Sequence, residues 1–589
     1  MNQAARVVPD VASFAVDEGF WYSVPEHLEP DLSVGSIVRV PLSGRRVRGW
    51  VVESGSAGDR ELKEVAGISG SAPVFDFGLL KSLRWAATHY IAPLATLLGR
   101  ATPPNLPRTI PSPSEVPAVE TTGHPLAGVV EKSASGSREP AVALVGNWRG
   151  LEWLREFAPV LAAGRSALVV AASVAEAVRL QEAAKPLWGD LVVTVVGEDD
   201  RSDTTSWEAA QSSPRLVLGT PKTAAWQIAG LGLAVVLEEG RRAMKDRQTP
   251  TLHVREMMRT RSRLEGFNVV FYGPTPSVEL LSAGAETVHQ GNRAWPLVEV
   301  VDRSAEQPGS GYLSDRAIAA MNAARRDGGR VFVFTHRRAG YGSMRCATCR
   351  TLRTCSGCGA RVGRVDRCPR CDAEIGPCRS CGGAEFEEMG TIPERLVAEI
   401  ERRIGKDVAT VHPGSTPVTI GTERDLADLD PVTLAIAADV DGMLMGVGYR
   451  TSVEALRQLA RLALTVRRRH GSRLMLQTTR PDSLLISTMR RGDPIPYLER
   501  VLVERAREGA PPAQEMIAVE IRGQVPEDAG SELASLPEAT IMGPMSIENG
   551  RRWLLTGELR EARLQLKRII GRWRDGGATV RVDVDPIDV

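Results

Sequence analysis

Eight cysteines, all lying between Cys346 and Cys381, are the residues of this chain whose type and spacing most directly promise chemistry. They fall as four Cys-x2-Cys pairs: Cys346 and Cys349, Cys355 and Cys358, Cys368 and Cys371, Cys378 and Cys381. Such a turn brings two thiolates to one metal with backbone amides aimed at the sulfurs, and tetrahedral Zn²⁺ takes two turns. Four turns therefore fill two closed sites, and two structural Zn²⁺ are expected, with no open position for zinc catalysis. Disulfides would need an oxidising compartment, and the stretch from Met1 to Pro9 has no apolar signal segment. An iron–sulfur cluster is the other chemistry that clustered thiolates serve, but the paired spacing fits structural zinc better.

Other reactive groups are sparse. Glu238 and Glu239 follow an apolar run and could suggest acid–base work, yet a solitary pair at a strand end more often caps or packs. Neither a nucleophile elbow nor a metal-ligating histidine pair appears. Arginine concentrates in two places: the cysteine segment, with Arg345, Arg350, Arg353, Arg361, Arg364, Arg367, Arg370 and Arg379, and the run from Arg467 to His470. The second run reads by itself as a solvated helix end.

These groups must be positioned by a chain of 589 residues, long enough for three to five domains. With 43% apolar and 25% charged residues the composition is that of a globular protein, and runs such as Leu231 to Leu237 are far too short to span a membrane. Lysine plus arginine number 73 against 72 acidic residues, so any nucleic-acid surface must be local. Short strands are expected at Ala5 to Val8, Phe20 to Val24, Ser36 to Pro41 and Arg48 to Val52, followed by a helix from Phe77 to His89 with an apolar stripe. Proline and then small polar residues fill the stretch up to Pro140, which reads as a linker. From Ala141, continuous apolar strands alternate with amphipathic patterns, including a helix from Leu151 to Ala162 and another from Val174 to Leu187, as in a parallel sheet covered on both faces. A second set, with Arg330 to Phe334 before the cysteines and Val408 to Val411, Val418 to Ile420, Thr433 to Ala438 and Arg473 to Leu476 after them, makes the cysteine module an insertion in a second lobe. Strands at Met516 to Ile521, Trp553 to Leu555 and Val580 to Val584, with a helix from Glu558 to Trp573, form a last α+β unit.

Two α/β lobes, four cysteine knuckles inserted in the second, a short β domain in front and a tail from Val580 to Pro586 resemble primosomal protein N′ of actinobacterial type, the replication restart family PriA. Supporting matches are Arg39-Val40-Pro41, Tyr90 to Leu94, Gly219-Thr220, Thr275-Pro276-Ser277, Arg337-Arg338, Gly421-Thr422, Asp439 to Gly442 and Gln477-Thr478. The resemblance implies a multidomain α/β protein: an N-terminal 3′-DNA-end-binding-like domain at 1–107, and a Pro-rich linker at 108–140 where a winged helix is missing or vestigial. Two RecA-like helicase-type lobes follow at 141–293 and at 294–344 with 386–490, then the zinc insertion at 345–385 and a C-terminal α+β domain at 491–589. It further implies that Cys346, Cys349, Cys378 and Cys381 share one zinc, and Cys355, Cys358, Cys368 and Cys371 the other.

The resemblance also shows what this chain lacks. Motors of that family need a glycine-rich loop ending in lysine and a hydroxyl residue for the phosphates and Mg²⁺. Here Gly146 to Glu152 carries neither, and the Mg²⁺-binding carboxylate is replaced by Leu237, leaving Glu238 able to polarise a water with no metal-bound phosphate to attack. The arginine-finger stretch corresponds to Leu464 to Arg469 with altered spacing, and His253 and Arg255 fall where the family couples DNA to ATP. An inactive motor is expected. In the front domain the resemblance assigns the pocket for a 3′ end to Phe20, Trp21, Tyr22 and Lys63, with Trp21 replacing a base-contacting aspartate. Branched DNA at stalled forks, other primosome proteins, the replicative helicase or its loader, and single-stranded DNA-binding protein are the implied partners, with no membrane and a cytoplasmic, nucleoid-associated location. A 3′-to-5′ helicase with an unconventional nucleotide site, and a scaffold that no longer binds DNA, are the alternatives.

Overall fold

The computed structural model describes residues 3–56, 61–306, 311–336, 344–349, 351–357, 359, 362–363, 365–368, 373–388, 393–411, 416–446, 448–547 and 549–587. Cys358, Cys371, Arg337 and Arg338 lie outside the described residues.

The front domain is an antiparallel sheet of five strands in the order Phe20–Ser23, Gln3–Pro9, Arg45–Ser56, Ile37–Leu42 and Gly67–Ser69. Its alternating apolar residues turn inward, so that Ala5, Val7, Val38, Val40 and Val51 make a small core with Tyr22. Ser43 (φ 48°) and Gly44 (φ 79°) form the tip between Ile37–Leu42 and Arg45–Ser56, both in the positive-φ region that a two-residue hairpin turn requires. The helix Phe77–His89 follows as expected. The Asp76 carboxylate accepts the Leu79 amide proton at its start, and Leu79, Leu80, Leu83, Ala86 and Ala87 are buried.

Residues 104–140 are tied to the neighbouring lobe rather than hanging between domains. The Glu208 carboxylate accepts the Arg108 and Thr109 amides, the Glu156 carboxylate accepts from Thr122 and His124, and Arg215 donates to Ser112 and Ser114. Val116 and Val119 pack on the lobe's core, and the one helix in this stretch is Ala127–Ser135. A proline-rich segment has few amides to satisfy, so a handful of lobe side chains suffices to hold it extended.

The first lobe is a parallel sheet of seven strands in the order Glu286–His289, Val142–Val145, Asn268–Gly273, Leu231–Leu237, Ser166–Val170, Leu216–Gly219 and Val192–Val195. The second is a parallel sheet of six: Val298–Asp302, Arg473–Thr478, Leu434–Ala437, Val331–Phe334, Val418–Gly421 and Ala409–Val411. The helix expected from Leu151 to Ala162 is broken. Leu151–Phe157 is a 3₁₀ stretch and only Ala158–Ala162 is α-helical. Pro159 has no amide to donate back into a preceding turn, so the α-helix starts at Ala158, with the proline in its first turn, instead of running through it.

The cysteine segment leaves the second lobe through a pair of antiparallel strands, Met344–Cys346 and Phe386–Glu388. The C-terminal unit is an antiparallel sheet of four strands, Ala539–Ile547, Gly550–Gly557, Glu515–Arg522 and Thr579–Val584, backed by Arg560–Asp575. Front helix, first-lobe sheet and C-terminal sheet share one continuous core, in which Leu83 and Tyr90, Val236 and Phe271, and Leu566 and Trp573 all take part. No helix among the described residues is long and apolar enough to cross a membrane.

Candidate functional site

In open parallel sheets the crevice beyond the carboxyl ends of the strands is where ligands bind. Among the described residues, charged side chains of this protein meet one another in that crevice. Glu238 and Glu239 follow the strand Leu231–Leu237, Gly146 to Arg149 follow Val142–Val145, and Glu423 follows Val418–Gly421 in the opposite lobe. Glu176 sits in the first turn of Val174–Trp188, and Arg457 and Arg461 come from the second-lobe helix Thr451–Ala463.

Arg461 is the hub. Its Nη2 donates to Glu176 Oε1 at 2.8 Å, its Nε stands 2.7 Å from Glu238 Oε2 as a charge contact without hydrogen-bond geometry, and its Nη1 lies 3.4 Å from Glu423 Oε1. Arg241 donates to both oxygens of Glu176 at 2.6 and 2.7 Å, and Arg457 holds Glu423 at 2.7 Å and Glu454 at 2.6 Å. Arg461 and Glu176 are each about 1% exposed, and burial without such partners would neutralise the carboxylates. Burial by itself raises Glu176, yet Arg241 and Arg461 pull it down to about 2; Glu423 is likewise held near about 2 against burial by Arg457 and then Arg461.

Glu238 is not free to polarise a water. Besides Arg461 it accepts a hydrogen bond from the Trp148 indole Nε1 at 2.6 Å, and Trp148 is buried. In the loop where phosphates would be cradled, Arg149 points across the cleft and donates to the carbonyls of Leu426 and Leu429 at 2.7 and 2.6 Å. Burial lowers its guanidinium to about 10, with the neighbouring charges of Arg179 and Arg461 adding to the shift. Leu237 is fully packed in a core cluster that also contains Leu464 of the second lobe. From the second lobe Arg461 reaches into the cleft, whereas Arg467 donates to the Pro431 carbonyl of its own lobe. Arg457 and Arg461, four apart on a helix whose other buried residues are apolar, were the signal for this cluster in the sequence.

Glu239 and Arg255 belong to a neighbouring buried set. Arg255 contacts Glu239 at 3.2 Å and Glu256 at 2.8 Å, while Glu239 accepts the Ser277 amide. His253 uses Nδ1 to cap the helix Val254–Glu265, and burial first, then Arg255 and Lys245, pushes its pKa well down. Both residues are packing groups in this structure.

Of the cysteines, the structure brings the first and fourth knuckles together. The sulfurs of Cys346, Cys349, Cys378 and Cys381 all lie within 4.8 Å of one another, with Cys346–Cys381 and Cys349–Cys378 at 3.5 Å. Ligands about 2.3 Å from a tetrahedral zinc stand roughly 3.8 Å apart, so four thiolates at this spacing fit the ion. A disulfide, at about 2.05 Å, is excluded at these distances. The knuckles share a backbone device: the amides of Cys346, Cys368 and Cys378 donate to the carbonyls of Thr351, Ala373 and Gly383. Cys355 and Cys368 lie in one buried cluster with Val362, and their knuckle partners Cys358 and Cys371 fall outside the described residues.

The front-domain residues differ in exposure. Phe20 is 41% exposed and Lys63 is exposed, with its carbonyl accepting the Ser23 amide beside the aromatic strand. Trp21 is half-buried over Gly55, where a Cβ would stand 3.2 Å from the indole. Tyr22, by contrast, is 3% exposed in the β core and donates its hydroxyl to the Pro41 carbonyl at 3.3 Å, so its ring does not face a ligand. Arg39, Arg45 and Arg46 are exposed on the adjacent hairpin and, among the described residues, pair with no carboxylate.

Two facing parallel α/β lobes, a cysteine insertion in the second and an antiparallel front domain define a multidomain, two-lobe α/β protein. Residues 6–103 match the family of PriA 3′ DNA-binding domains (3′BD). Over 98% of its length the chain is similar to the probable replication restart protein PriA of Mycobacterium bovis, 24% identical and spanning 99% of that protein, and to that of Mycobacterium tuberculosis at 25% with the same coverage. The resemblance to PriA therefore extends across nearly the whole chain. Among solved structures, a DEAD box protein from Methanococcus jannaschii aligns over 64% of this chain and 91% of its own, at 10% identity and a TM-score of 0.28.

Proposed function

We propose that this chain is a replication restart protein that binds branched DNA at stalled forks and helps bring the helicase-loading machinery there, without unwinding DNA itself. The observation that carries the reading is the match of residues 6–103 to the PriA 3′ DNA-binding domain. Its sheet offers an exposed ring, Phe20, and the exposed cations Lys63, Arg39, Arg45 and Arg46, groups of the kinds that stack a base and neutralise its phosphates. With Trp21 where the family has aspartate, stacking takes over from hydrogen bonding to the terminal base.

The lobes supply shape rather than work. Phosphoryl transfer needs a phosphate-cradling lysine, a metal-binding carboxylate and a poised glutamate acting together. Here the first two are absent and Glu238 is engaged by Trp148 and Arg461. In this reading the knuckles hold two structural zinc ions, one on Cys346, Cys349, Cys378 and Cys381 and one on Cys355, Cys358, Cys368 and Cys371. The closed zinc module then offers a rigid platform to other primosome proteins in the cytoplasm.

Fork binding and ATP hydrolysis measured on one purified sample test the proposal. Anisotropy should show tighter binding to forks with a leading-strand 3′ end than to blunt duplex, falling steeply with salt, and no DNA-stimulated hydrolysis. Equal, salt-insensitive binding to both would favour the scaffold alternative. Elemental analysis should find two zinc ions per chain, and one or none would remove the second site.

A further inference from the structure

The charges that fill the cleft come from both lobes, and their arrangement has a mechanical consequence. Arg461 of the second lobe is held between Glu176 and Glu238 of the first, and Arg149 of the first holds two carbonyls of the second. Gly240 of the first lobe lies beneath Arg457, where a Cβ would stand 3.8 Å from its Cδ. Apolar contacts run alongside: Val145 and Val278 of the first lobe belong to the second lobe's core cluster, and Leu464 of the second belongs to the first lobe's. A second clasp lies nearby, where Glu279 of the first lobe meets Arg450 of the second at 2.7 Å and Arg505 of the C-terminal unit at 3.3 Å. Lys245 of the first lobe ties the last strand through Asp583 at 2.6 Å.

From these contacts we propose that the arginine–glutamate clasp centred on Arg461 locks the two lobes into one permanently closed body, standing where a bridging anion would otherwise join them. Buried apolar contact supplies the drive to close, because opening would return Val145, Leu237 and Leu464 to water. The ion pairs supply the register, since each arginine finds its carboxylates in one relative placement only. An added polyphosphate would have to displace carboxylates already paired with the guanidiniums, so the closed state does not depend on nucleotide. Front domain, both lobes and C-terminal unit then form a single frame of fixed geometry. The inference concerns the lobes alone, so it can fail while fork binding stands, and the reverse.

Hydrogen exchange on the full chain, read by mass spectrometry with and without ATP, tests the lock. In the wild type, residues 146–152 and 423–430 should exchange slowly and identically in both conditions. Arg461→Gln and Arg149→Ala should each speed exchange in both segments at least tenfold, while Ser166–Val170 and Val331–Phe334 stay protected. Should Arg461→Gln unfold a lobe, those sheet strands would exchange too, and Arg149→Ala, which removes only two hydrogen bonds to carbonyls, then decides. Fast exchange in the wild type, slowing on addition of ATP, or no change in Arg149→Ala would each overturn the lock. Fork binding measured on the same preparations keeps this outcome separate from that of the DNA-binding reading.

Discussion

The cleft between the lobes and the face of the front domain are both rich in arginine and aromatic residues, yet they use them in opposite ways. In the cleft, Arg461, Arg241 and Arg457 are buried and every one is matched by a glutamate of this same chain. In the front domain, Lys63, Arg39, Arg45 and Arg46 are exposed and, among the described residues, pair with no carboxylate. Trp148 donates its indole to Glu238 inside the protein, whereas Phe20 turns its ring outward. A charge that has found an internal partner builds structure, and a charge left hydrated remains available to phosphate. By that criterion the proposed DNA-binding role belongs to the front domain, and the cleft charges belong to the structure.

The sharpest way to break the contrast is to remove the hub. Arg461→Met would take from Glu238 its nearest cation and from Glu176 one of two, Arg241 remaining, and loss of one partner of a buried pair costs up to about 3–5 kcal/mol. Chemical denaturation should show a loss of that size, whereas Arg45→Met on the front face should change stability little. Equal effects would mean the cleft arginine is no more structural than a surface one.

Acid should separate the two regions next. The carboxyl of Glu176 is held at about 2 against an ordinary 4.5, so its contribution to stability is present in full above about 4.5 and is lost as pH falls towards about 2. Thermal unfolding followed across that window should fall more steeply for the wild type than for Glu176→Gln, which has no proton to take up. Parallel curves would show that the pairing does not stabilise the closed lobes.

Smaller effects are expected on the front face, and on binding rather than folding. Phe20→Ala should weaken binding to forks with a 3′ end by about 1–3 kcal/mol, the usual size of one base–aromatic stack. Lys63→Ala should lower the salt dependence of binding by about one counterion. Tyr22→Ala should act on domain stability instead, because its ring belongs to the β core. A selective loss of 3′-end recognition in a folded Tyr22→Ala protein would contradict the place of Tyr22 in the core.

Much of this architecture was legible because it is local. Period-two alternation marked the front strands, an apolar stripe behind Asp76 marked Phe77–His89, and continuous apolar runs marked both parallel sheets. Cys-x2-Cys spacing marked the knuckles, since each turn is built within a few residues. The cleft was not legible in the same way. Arg461 and Glu176 are 285 positions apart, and Arg149 and Leu426 are 277 apart, so only the tertiary fold brings them together. That Gly146 to Glu152 carries no lysine could be read from the sequence, but not that Trp148 and Arg461 meet Glu238 or that Arg149 reaches across to Leu426 and Leu429. Tyr22 shows the limit at shorter range: its neighbours Phe20 and Trp21 are more exposed, and which ring turns inward depends on how the sheet packs over Val7 and Val40.

Equilibrium binding of ATP to the wild-type protein, followed together with hydrolysis on forked DNA, tests most directly the claim that the cleft is occupied by the chain itself. The account predicts neither measurable binding nor DNA-stimulated turnover, while the same sample binds the fork. Saturable ATP binding with fork-stimulated hydrolysis that Glu238→Gln abolishes would contradict it.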